Sequence, residues 1–306
     1  MNINRRNFLQ KSAMAGSAFF LPGMEDKPSP FANSVSNAGY ELKIMATNWG
    51  YTGNAQSFCA AAKKEGYDGI EVWMPGDASG REEIANAAAK NGLMLGFLYG
   101  GSDKDPSKHL QQFKEGILAA SGFKPIYINC HSGRDFFSIE QNKAFMSYTS
   151  ELVAKTAIPI YHETHRGRSL FAAHIAREFI NKTPDLRLTL DISHWCTVHE
   201  SALEDQEEVV ALALERTDHI HARVGHSEGP QVNDPRAPEW EYVNNRHLKW
   251  WDTVIERKRK EGKRMTILTE FGPPNYLPTI PYTKQPLANQ WDINVYMLNL
   301  LRKRYS

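Results

Sequence analysis

The feature that most constrains the fold is a regular alternation of short apolar runs with longer amphipathic stretches, which begins at Leu42. A short apolar run between turn residues is typical of a buried strand, and apolar residues at every third or fourth position are typical of a helix. The predicted strands are Leu42–Asn48, Gly69–Trp73, Leu93–Tyr99, Pro125–His131, Pro159–Thr164, Leu186–Ile192, His219–Val224 and Met265–Phe271. The predicted helices are Gln56–Glu65, Arg81–Asn91, Pro106–Ala120, Ile139–Lys155, Ser169–Asn181, Leu203–Arg216 and Arg246–Glu261.

Strands that alternate with helices in this way indicate a parallel sheet. Eight such units fit a single closed (β/α)8 TIM barrel better than an open sheet, and no GxGxxG motif follows the first strand to favour a dinucleotide-binding fold. The last segment, Asn289–Arg304, predicts an extra C-terminal helix outside the barrel. Four helices end in a glycine that we expect to form a left-handed C-cap, at Gly66, Gly92, Gly122 and Gly262.

The N-terminal residues form a separate pattern. The pair Arg5-Arg6 precedes a weakly apolar run from Ala13 to Leu21, and this order resembles a twin-arginine signal peptide. A Pro/Ser/Asn-rich stretch then predicts a disordered spacer. We therefore predict a signal peptide and spacer over residues 1–39, a barrel over residues 40–306, and a periplasmic mature protein. A basic terminus without a targeting role is the alternative.

The composition is that of an ordinary globular protein. Hydrophobic residues make up 41% and charged residues 23% of the chain, with a formal net charge of +1. This balance argues against disorder and supplies no basic field for nucleic acid. Nothing after the signal peptide is long and apolar enough to predict a membrane span. Three widely spaced cysteines form no metal-binding pattern, so buried thiols are expected.

The last four predicted strands each end in polar residues that could do chemistry. They end in HETH with Glu163, LDISH with Asp191, HIHAR with His221, and TEFG with Glu270. In a (β/α)8 barrel the C-terminal ends of the strands meet at the face where active sites are built. Each residue follows apolar neighbours that cannot solvate it, so a buried charge there needs a partner. We therefore expect the four side chains to converge.

Three carboxylates at one point would repel one another unless a cation lay between them. Oxygen ligands with one nitrogen suit Mn²⁺, Mg²⁺ or Co²⁺, and Zn²⁺ also fits. We predict one divalent metal ion, held by Glu163, Asp191, His221 and Glu270. In the HETH segment, His165 shares the face of Glu163, whereas His162 lies on the opposite face and is expected to pack.

The four motifs together resemble the xylose isomerase-like TIM barrel superfamily. That group includes sugar epimerases of the tagatose/psicose type, hydroxypyruvate isomerase and family-2 AP endonucleases. The resemblance spans residues 42 to 272 and is strongest over strands five to eight. It implies that the four residues bind one divalent cation, and that Glu163 and Glu270 also transfer protons. It further implies that His221, and not His219, is the ligand on the seventh strand.

Four residues are expected to bind substrate. His194, three residues after Asp191, matches a substrate-binding histidine of the epimerases. His131 ends the fourth strand, Arg223 shares the face of His221, and Glu71 is expected to point into the barrel mouth. An ion pair is an equal alternative for Arg223. Aromatic residues near strand ends could stack on a sugar ring, namely Trp49, Trp73, Tyr99 and Trp195. For each of them, simple packing at the rim is the more common alternative.

The function that the resemblance implies is a metal-dependent sugar isomerase or epimerase. Such an enzyme removes a proton beside a carbonyl, and the cation stabilises the resulting enediolate. A 3-keto-glycoside lyase that acts by β-elimination would use the same site, and predicted export favours it. A non-catalytic sugar-binding barrel and a nucleic-acid repair enzyme are weaker alternatives, the latter because its relatives use a three-metal cluster. The expected partner is a small sugar or glycoside, with no nucleic acid and no membrane. The oligomeric state stays open, although relatives commonly form homo-oligomers.

Overall fold

A computed structural model describes residues 39–306. The predicted signal peptide and most of its spacer therefore lie outside the described residues. Eight parallel strands form a closed barrel in chain order. They are β1 (Glu41–Thr47), β2 (Gly69–Trp73), β3 (Met94–Tyr99), β4 (Tyr127–Cys130), β5 (Ile160–Glu163), β6 (Leu188–Leu190), β7 (Thr217–Ala222) and β8 (Arg264–Thr269). The predicted (β/α)8 barrel is confirmed.

Helices surround the strands. They are α1 (Ala55–Glu65), α2 (Ala78–Lys90), α3 (Pro106–Ser121), α4 (Ile139–Thr156), α5 (Ala173–Lys182), α6 (Ile192–Val198), α7 (Glu207–Arg216), α8 (Glu241–Glu261) and α9 (Gln290–Tyr305). The predicted C-terminal helix is present as α9, which packs against β1 and β8. Helix α6 follows β6 after one residue, and the sequence pattern predicts no helix at this position. A 3-10 turn, Pro238–Trp240, precedes α8.

The barrel closes through the pairing of β1 with β8. Their register runs from Glu41 opposite Arg264 to Ala46 opposite Thr269. Because side chains alternate along a strand, every second residue points into the barrel and the others pack against the helices. The main apolar core lies between the strands and the helices, and a small separate cluster consists of Met45, Tyr127 and Leu268.

Glycine is required at two kinds of position. Gly66 and Gly262 have φ angles of 92° and 58°, the left-handed conformation predicted for helix ends. Gly122 was predicted to do the same, and this is wrong, because its φ is −60°. After α3 the chain continues in i→i−3 bonds through Lys124, which itself takes a φ of 49°. Inside the barrel, a Cβ atom on Gly96 would lie 2.8 Å from the Tyr127 ring, so only glycine leaves room for that ring.

The described residues contain no helix with the length and apolar character of a membrane span. The three cysteines are buried free thiols, as expected.

Candidate metal and catalytic site

The C-terminal ends of β5 to β8 bring four polar side chains to one place. Glu163 is the last residue of β5, Asp191 directly follows β6, His221 lies near the end of β7, and Glu270 directly follows β8. All four are buried, with exposed fractions of 2%, 0%, 1% and 7%. One ligand atom from each lies within 4.8 Å of the others. The structure therefore places the four predicted metal ligands around a common point.

Three ligand atoms in this group lack the partners that buried polar atoms need. Glu163 Oε1, His221 Nδ1 and Glu270 Oε2 are buried, and none has a hydrogen-bond partner within residues 39–306. His221 Nδ1 lies 2.9 Å from Glu270 Oε2 and 3.7 Å from Glu163 Oε2, but without hydrogen-bond alignment. An unpaired buried polar atom costs free energy. A divalent cation would satisfy all three atoms, and the donor set of three carboxylates and one imidazole suits Mn²⁺, Mg²⁺, Co²⁺ or Zn²⁺.

Asp191 is held by two side chains besides the other candidate ligands. Ser193 Oγ donates to Oδ1 and Arg223 Nη2 donates to Oδ2. Nη2 of Arg223 also lies 3.4 Å from Glu270 Oε2 and 2.9 Å from His194 Nε2. Because α6 starts directly after Asp191, it returns His194 to within 3.5 Å of the carboxylate. His194 thus contacts Arg223 and Asp191 and is fully buried.

Glu163 is held by two donors on β4 and its following loop. Asn129 Nδ2 and His131 Nε2 lie 2.8 Å and 3.0 Å from Oε2 of Glu163. This leaves Oε1 as the oxygen without a partner. Tyr127 and Asn129 were not predicted as site residues. A signal for them was present, because they alternate with His131 along β4 and so share its inward face.

The electrostatics of the group follow from burial and mutual charge. Burial raises the pKa of Asp191 to about 6. Arg223 acts to lower this pKa, and the negative charges of Glu270 and Glu163 act to raise it. Burial also acts to raise the pKa of Glu163, but His131 and His221 outweigh it and hold that pKa well below its ordinary value. For His221 burial acts to lower the pKa, and the surrounding carboxylates, Glu270 first, raise it well above the ordinary value.

A cavity of about 470 Å³ opens next to this group, and Glu270 is the one of the four side chains that lines it. His131, His165, Arg223 and Glu270 line it. At its rim, Trp49 and Trp73 remain 37% and 47% exposed. Tyr276, from the segment between β8 and α9, also lines the cavity, and the Arg223 guanidinium lies 4.8 Å from its ring centre. No sequence pattern pointed to Tyr276, because its segment has no periodicity.

Other predicted residues lie elsewhere. Trp195 is completely buried, and its indole nitrogen donates to the Leu170 carbonyl, so it packs in the core and the stacking alternative is wrong. The stacking alternative for Tyr99 is wrong as well, since its ring packs on Gly116 of α3. His162 packs outside the barrel, as expected, with its ring nitrogens 2.6 Å from Ser132 Oγ and 2.8 Å from Thr149 Oγ1.

Glu71 points into the barrel and forms part of the cavity floor. Its carboxylate, however, contacts side chains of the barrel interior. Tyr127 OH donates to Oε2 at 2.7 Å, and His221 Nε2 lies 3.1 Å from Oε1. Burial acts to raise the pKa of Glu71, but His221 and His219 outweigh it and hold that pKa far below its ordinary value. Glu71 is thus a buried anion beside His221, and only 1% of it is exposed.

Two further groups of ligand-type side chains occur among the described residues. One is Glu71 with His219 and His221, and the other is His131 with Glu163 and His165. Each shares a member with the first group.

A second cavity of about 580 Å³ lies at the opposite, N-terminal end of the strands. Three of its charged residues are paired with one another, since Arg187 Nη2 and Asp218 Oδ1 are 2.7 Å apart and Lys258 also binds Asp218. That face of a (β/α)8 barrel serves stability.

Comparison with known proteins agrees with the fold. A family model described as "Xylose isomerase-like TIM barrel" matches residues 59–250. A comparison with curated proteins gave no match. Among solved structures, 3-keto-D-glucoside 4-epimerase YcjR from E. coli superimposes with a TM-score of 0.58 at 13% identity, covering 86% of this chain and 100% of that one.

Two other structures show the range of this fold. D-allulose 3-epimerase from Methylomonas sp. has a TM-score of 0.58 at 14% identity, covering 86% of this chain and 98% of that one. Endonuclease IV from Thermus thermophilus has a TM-score of 0.53 at 14% identity, covering 87% of this chain and 98% of that one. At such identities the structures establish the fold alone. Together with the family match, they show that the chain belongs to the xylose isomerase-like TIM barrel family.

Proposed function

We propose that the protein is a divalent-metal-dependent isomerase or epimerase of a sugar or sugar derivative. The observation that carries the proposal is the convergence of Glu163, Asp191, His221 and Glu270 at the C-terminal ends of the strands, next to a cavity that Glu270 lines. Two of the structurally similar proteins are sugar epimerases by name. The family as a whole also includes enzymes that act on other substrates, so the reaction rests on the chemistry of the site.

The four side chains would hold one divalent ion. When bound, such an ion polarises a substrate carbonyl and stabilises the negative charge that develops beside it. The ion would also keep the carboxylate that removes the proton ionised, as a proton acceptor must be.

Glu163 and Glu270 are the proposed proton-transfer residues. They approach His221 Nδ1 from different strands, at 3.7 Å and 2.9 Å. One carboxylate, in its ionised form, would remove a proton from the carbon next to the carbonyl. The other, carrying a proton taken from solvent, would return that proton to the opposite face or to the neighbouring carbon. A positioned carboxylate contributes about 10² to 10⁴-fold to such a step. Asn129 and His131 fix one oxygen of Glu163, so its free Oε1 has a defined direction.

We further propose that His131 and Arg223 bind substrate oxygens from the cavity wall. His194 would act through its contact with Arg223, because it is fully buried.

A lyase is the second candidate. The cavity rim carries Trp49 and Trp73, half-exposed and free to contact a substituent on the anomeric carbon. With a 3-keto-glycoside, the same carboxylate would remove the C2 proton, the C1–O bond would break, and the aglycone would leave with a proton. One structurally similar protein, a probable 3-DHS dehydratase from Bacillus anthracis, is an eliminating enzyme by name.

Incubation in D₂O separates the candidates. Purified protein loaded with Mn²⁺ would be mixed with ketohexoses and, separately, with 3-keto-glucosides, and the products would be analysed by NMR and mass spectrometry. Carbon-bound deuterium in an isomerised or epimerised sugar supports the proposal, and a released aglycone supports the lyase. If neither product forms, the catalytic proposal is wrong and a sugar-binding barrel replaces it. Glu163→Gln is the matched control, and it should abolish deuterium incorporation while leaving the far-UV spectrum unchanged.

We also propose that this activity is periplasmic, on the sequence pattern of residues 1–39. Cell fractionation of the full chain and of a variant in which Arg5 and Arg6 are both lysine tests it. Equal export of the two would contradict a twin-arginine signal.

A further inference from the structure

We propose that Glu71 is a positioning residue for the metal site. Its buried carboxylate accepts the Nε2–H of His221 and so directs Nδ1 of the same ring towards Glu163, Asp191 and Glu270. This inference rests on the proposed function. In it the Glu71 carboxylate binds the His221 ring and not the substrate.

The two ring nitrogens of His221 face different groups. Nε2 lies 3.1 Å from Oε1 of Glu71, whereas Nδ1 lies 2.9 Å from Oε2 of Glu270. Nδ1 has no hydrogen-bond partner anywhere in the described part of the chain. A histidine that binds a metal through one nitrogen usually donates its other N–H to a carboxylate or carbonyl, which fixes the ring and its tautomer. Glu71 lies where that carboxylate belongs.

Among residues 39–306, Asn129 is the one competitor for Nε2 of His221, since its Nδ2 lies 3.1 Å away. Its two amide hydrogens, however, have charged acceptors in Glu163 Oε2 at 2.8 Å and Glu71 Oε1 at 3.3 Å, and hydrogen bonds to carboxylates are the stronger ones. The reversed amide would place the carbonyl oxygen against both carboxylates, where it would be repelled. Nδ2 is therefore a donor to the carboxylates, and Nε2 of His221 donates to Glu71.

Glu71 is itself held so that it cannot turn towards the cavity. Tyr127 OH donates to Oε2 at 2.7 Å, and His219 Nε2 lies 3.0 Å from the same oxygen. The Tyr127 ring can reach across the barrel because Gly96 has no side chain, since a Cβ there would lie 2.8 Å from the ring. His219 is fixed in turn, with Nδ1 2.8 Å from Thr266 Oγ1. Both oxygens of Glu71 are thus engaged inside the barrel.

The same contacts argue against a second ion between Glu71, His219 and His221. Their ligand atoms also lie within 4.8 Å of one another. Yet an ion there would have to take Nε2 of His221 in place of its N–H bond to Glu71, and Tyr127 and Asn129 already direct hydrogens at the two carboxylate oxygens. A carboxylate surrounded by donors acts as an acceptor, and the neighbouring ring of His221 supplies a further donor.

The test compares Glu71→Ala, Glu71→Gln and Tyr127→Phe with wild type in the full chain. Two quantities are measured: the Zn²⁺ and Mn²⁺ dissociation constants by competition titration, and the ring nitrogens and N–H protons of His221 in the Zn²⁺-loaded protein by ¹⁵N-histidine NMR. A His221→Gln spectrum assigns the signals. In wild type we expect Nδ1 on the ion and a protected Nε2–H.

Removal of a side chain that orients a metal ligand typically weakens metal binding about 10- to 100-fold. We expect that loss in Glu71→Ala, together with loss of the protected Nε2–H signal. Glu71→Gln, whose amide oxygen can still accept, should retain the signal and lose less affinity. Tyr127→Phe, which removes only the donor to Oε2, should lose least. If Glu71→Ala does not fold, Glu71→Asp replaces it, because the shorter side chain cannot reach Nε2 and the same two losses are expected.

Unchanged metal affinity and an unchanged Nε2–H signal in Glu71→Ala would overturn the inference. So would loss of turnover with both quantities unchanged, because Glu71 would then act on the substrate. The failures of the two proposals differ. Suppose that the wild type binds metal, that Glu71→Ala weakens this binding, and that the wild type acts on no sugar. This result supports the inference and contradicts the enzymatic proposal. A wild type that binds no divalent ion contradicts both.

Discussion

The guanidinium of Arg223 lies against the carboxylate of Asp191 inside the barrel, with Nη2 on Oδ2 and exposed fractions of 1% and 0% for the two side chains. The same Nη2 lies 3.4 Å from Oε2 of Glu270. One fixed cation is therefore shared between two of the four candidate metal ligands. It offsets part of their repulsion, and its Tyr276-facing side forms a wall of the cavity.

Replacement of Arg223 by methionine should destabilise the protein. Loss of one partner from a buried ion pair leaves the other charge uncompensated, which costs about 3–5 kcal/mol. Urea unfolding of the metal-free protein, in the presence of a chelator, measures the effect. Arg223→Lys is the control, because it keeps the charge but loses the planar guanidinium group. Its free energy of unfolding should lie between those of wild type and Arg223→Met. A methionine variant within about 1 kcal/mol of wild type would show that the pair contributes little.

Metal binding should weaken as the pH falls. A ligand must lose its proton to bind a metal ion. The pKa of Asp191 is raised to about 6, and that of His221 is raised well above its ordinary value. His221 must therefore release a proton when the ion binds. Below pH 6 Asp191 is also protonated, so the ion must displace a second proton. Calorimetric titration with Mn²⁺ between pH 5 and pH 8, in two buffers of different ionisation enthalpy, should show rising affinity with pH and net proton release. Affinity independent of pH would contradict these pKa shifts.

Gly96→Ala should disturb the site from a distance. The added Cβ would lie 2.8 Å from the Tyr127 ring, and overpacking of this kind costs about 1–3 kcal/mol. Displacement of Tyr127 would also remove a donor from Glu71. We expect a lower Tm and weaker metal binding in this variant. Gly76→Ala is the control, because a Cβ there meets nothing within 4 Å. Equal behaviour of the two variants would mean that the Tyr127 ring yields freely.

Trp73→Ala should raise KM for a substrate that carries a substituent at the cavity rim. Trp73 lines the cavity and is 47% exposed. An aromatic contact is worth about 0.5–1.5 kcal/mol, which corresponds to roughly 2- to 13-fold in KM. Stability should hardly change. Phe136→Ala removes a 66% exposed aromatic that is not among the residues lining this cavity, and it should leave KM unchanged. Similar effects of the two variants would contradict a substrate contact at Trp73.

The barrel could be predicted from periodicity because its strands and helices differ in the spacing of apolar residues, and strand ends of a (β/α)8 barrel share one face. The position of Glu163, Asp191, His221 and Glu270 at that face followed from the same rule. The side chains that hold these four residues in place could not be predicted in this way. The contact between Glu71 and His221 depends on two side chains that are 150 residues apart meeting across the barrel.

Other differences have local causes. Helix α6 is only Ile192–Val198 and is buried almost throughout, so it lacks the amphipathic pattern that reveals a surface helix. Tyr276 lies in a segment without regular structure, where its inward position depends on packing against Arg223 and Trp49. Trp195 looked like a rim residue because it follows a strand end, yet the turn into α6 directs it into the core.

Metal content tests the central claim most directly. Wild-type protein and the Glu270→Gln variant would be purified identically, equilibrated with Mn²⁺ or Zn²⁺, freed of loosely bound ions and analysed by inductively coupled plasma mass spectrometry. We expect one divalent ion per wild-type chain and a sharp fall in the variant, because Glu270 supplies one of the four converging ligand atoms. Equally low metal in both proteins would contradict the metal site, and two ions per wild-type chain would contradict a single one.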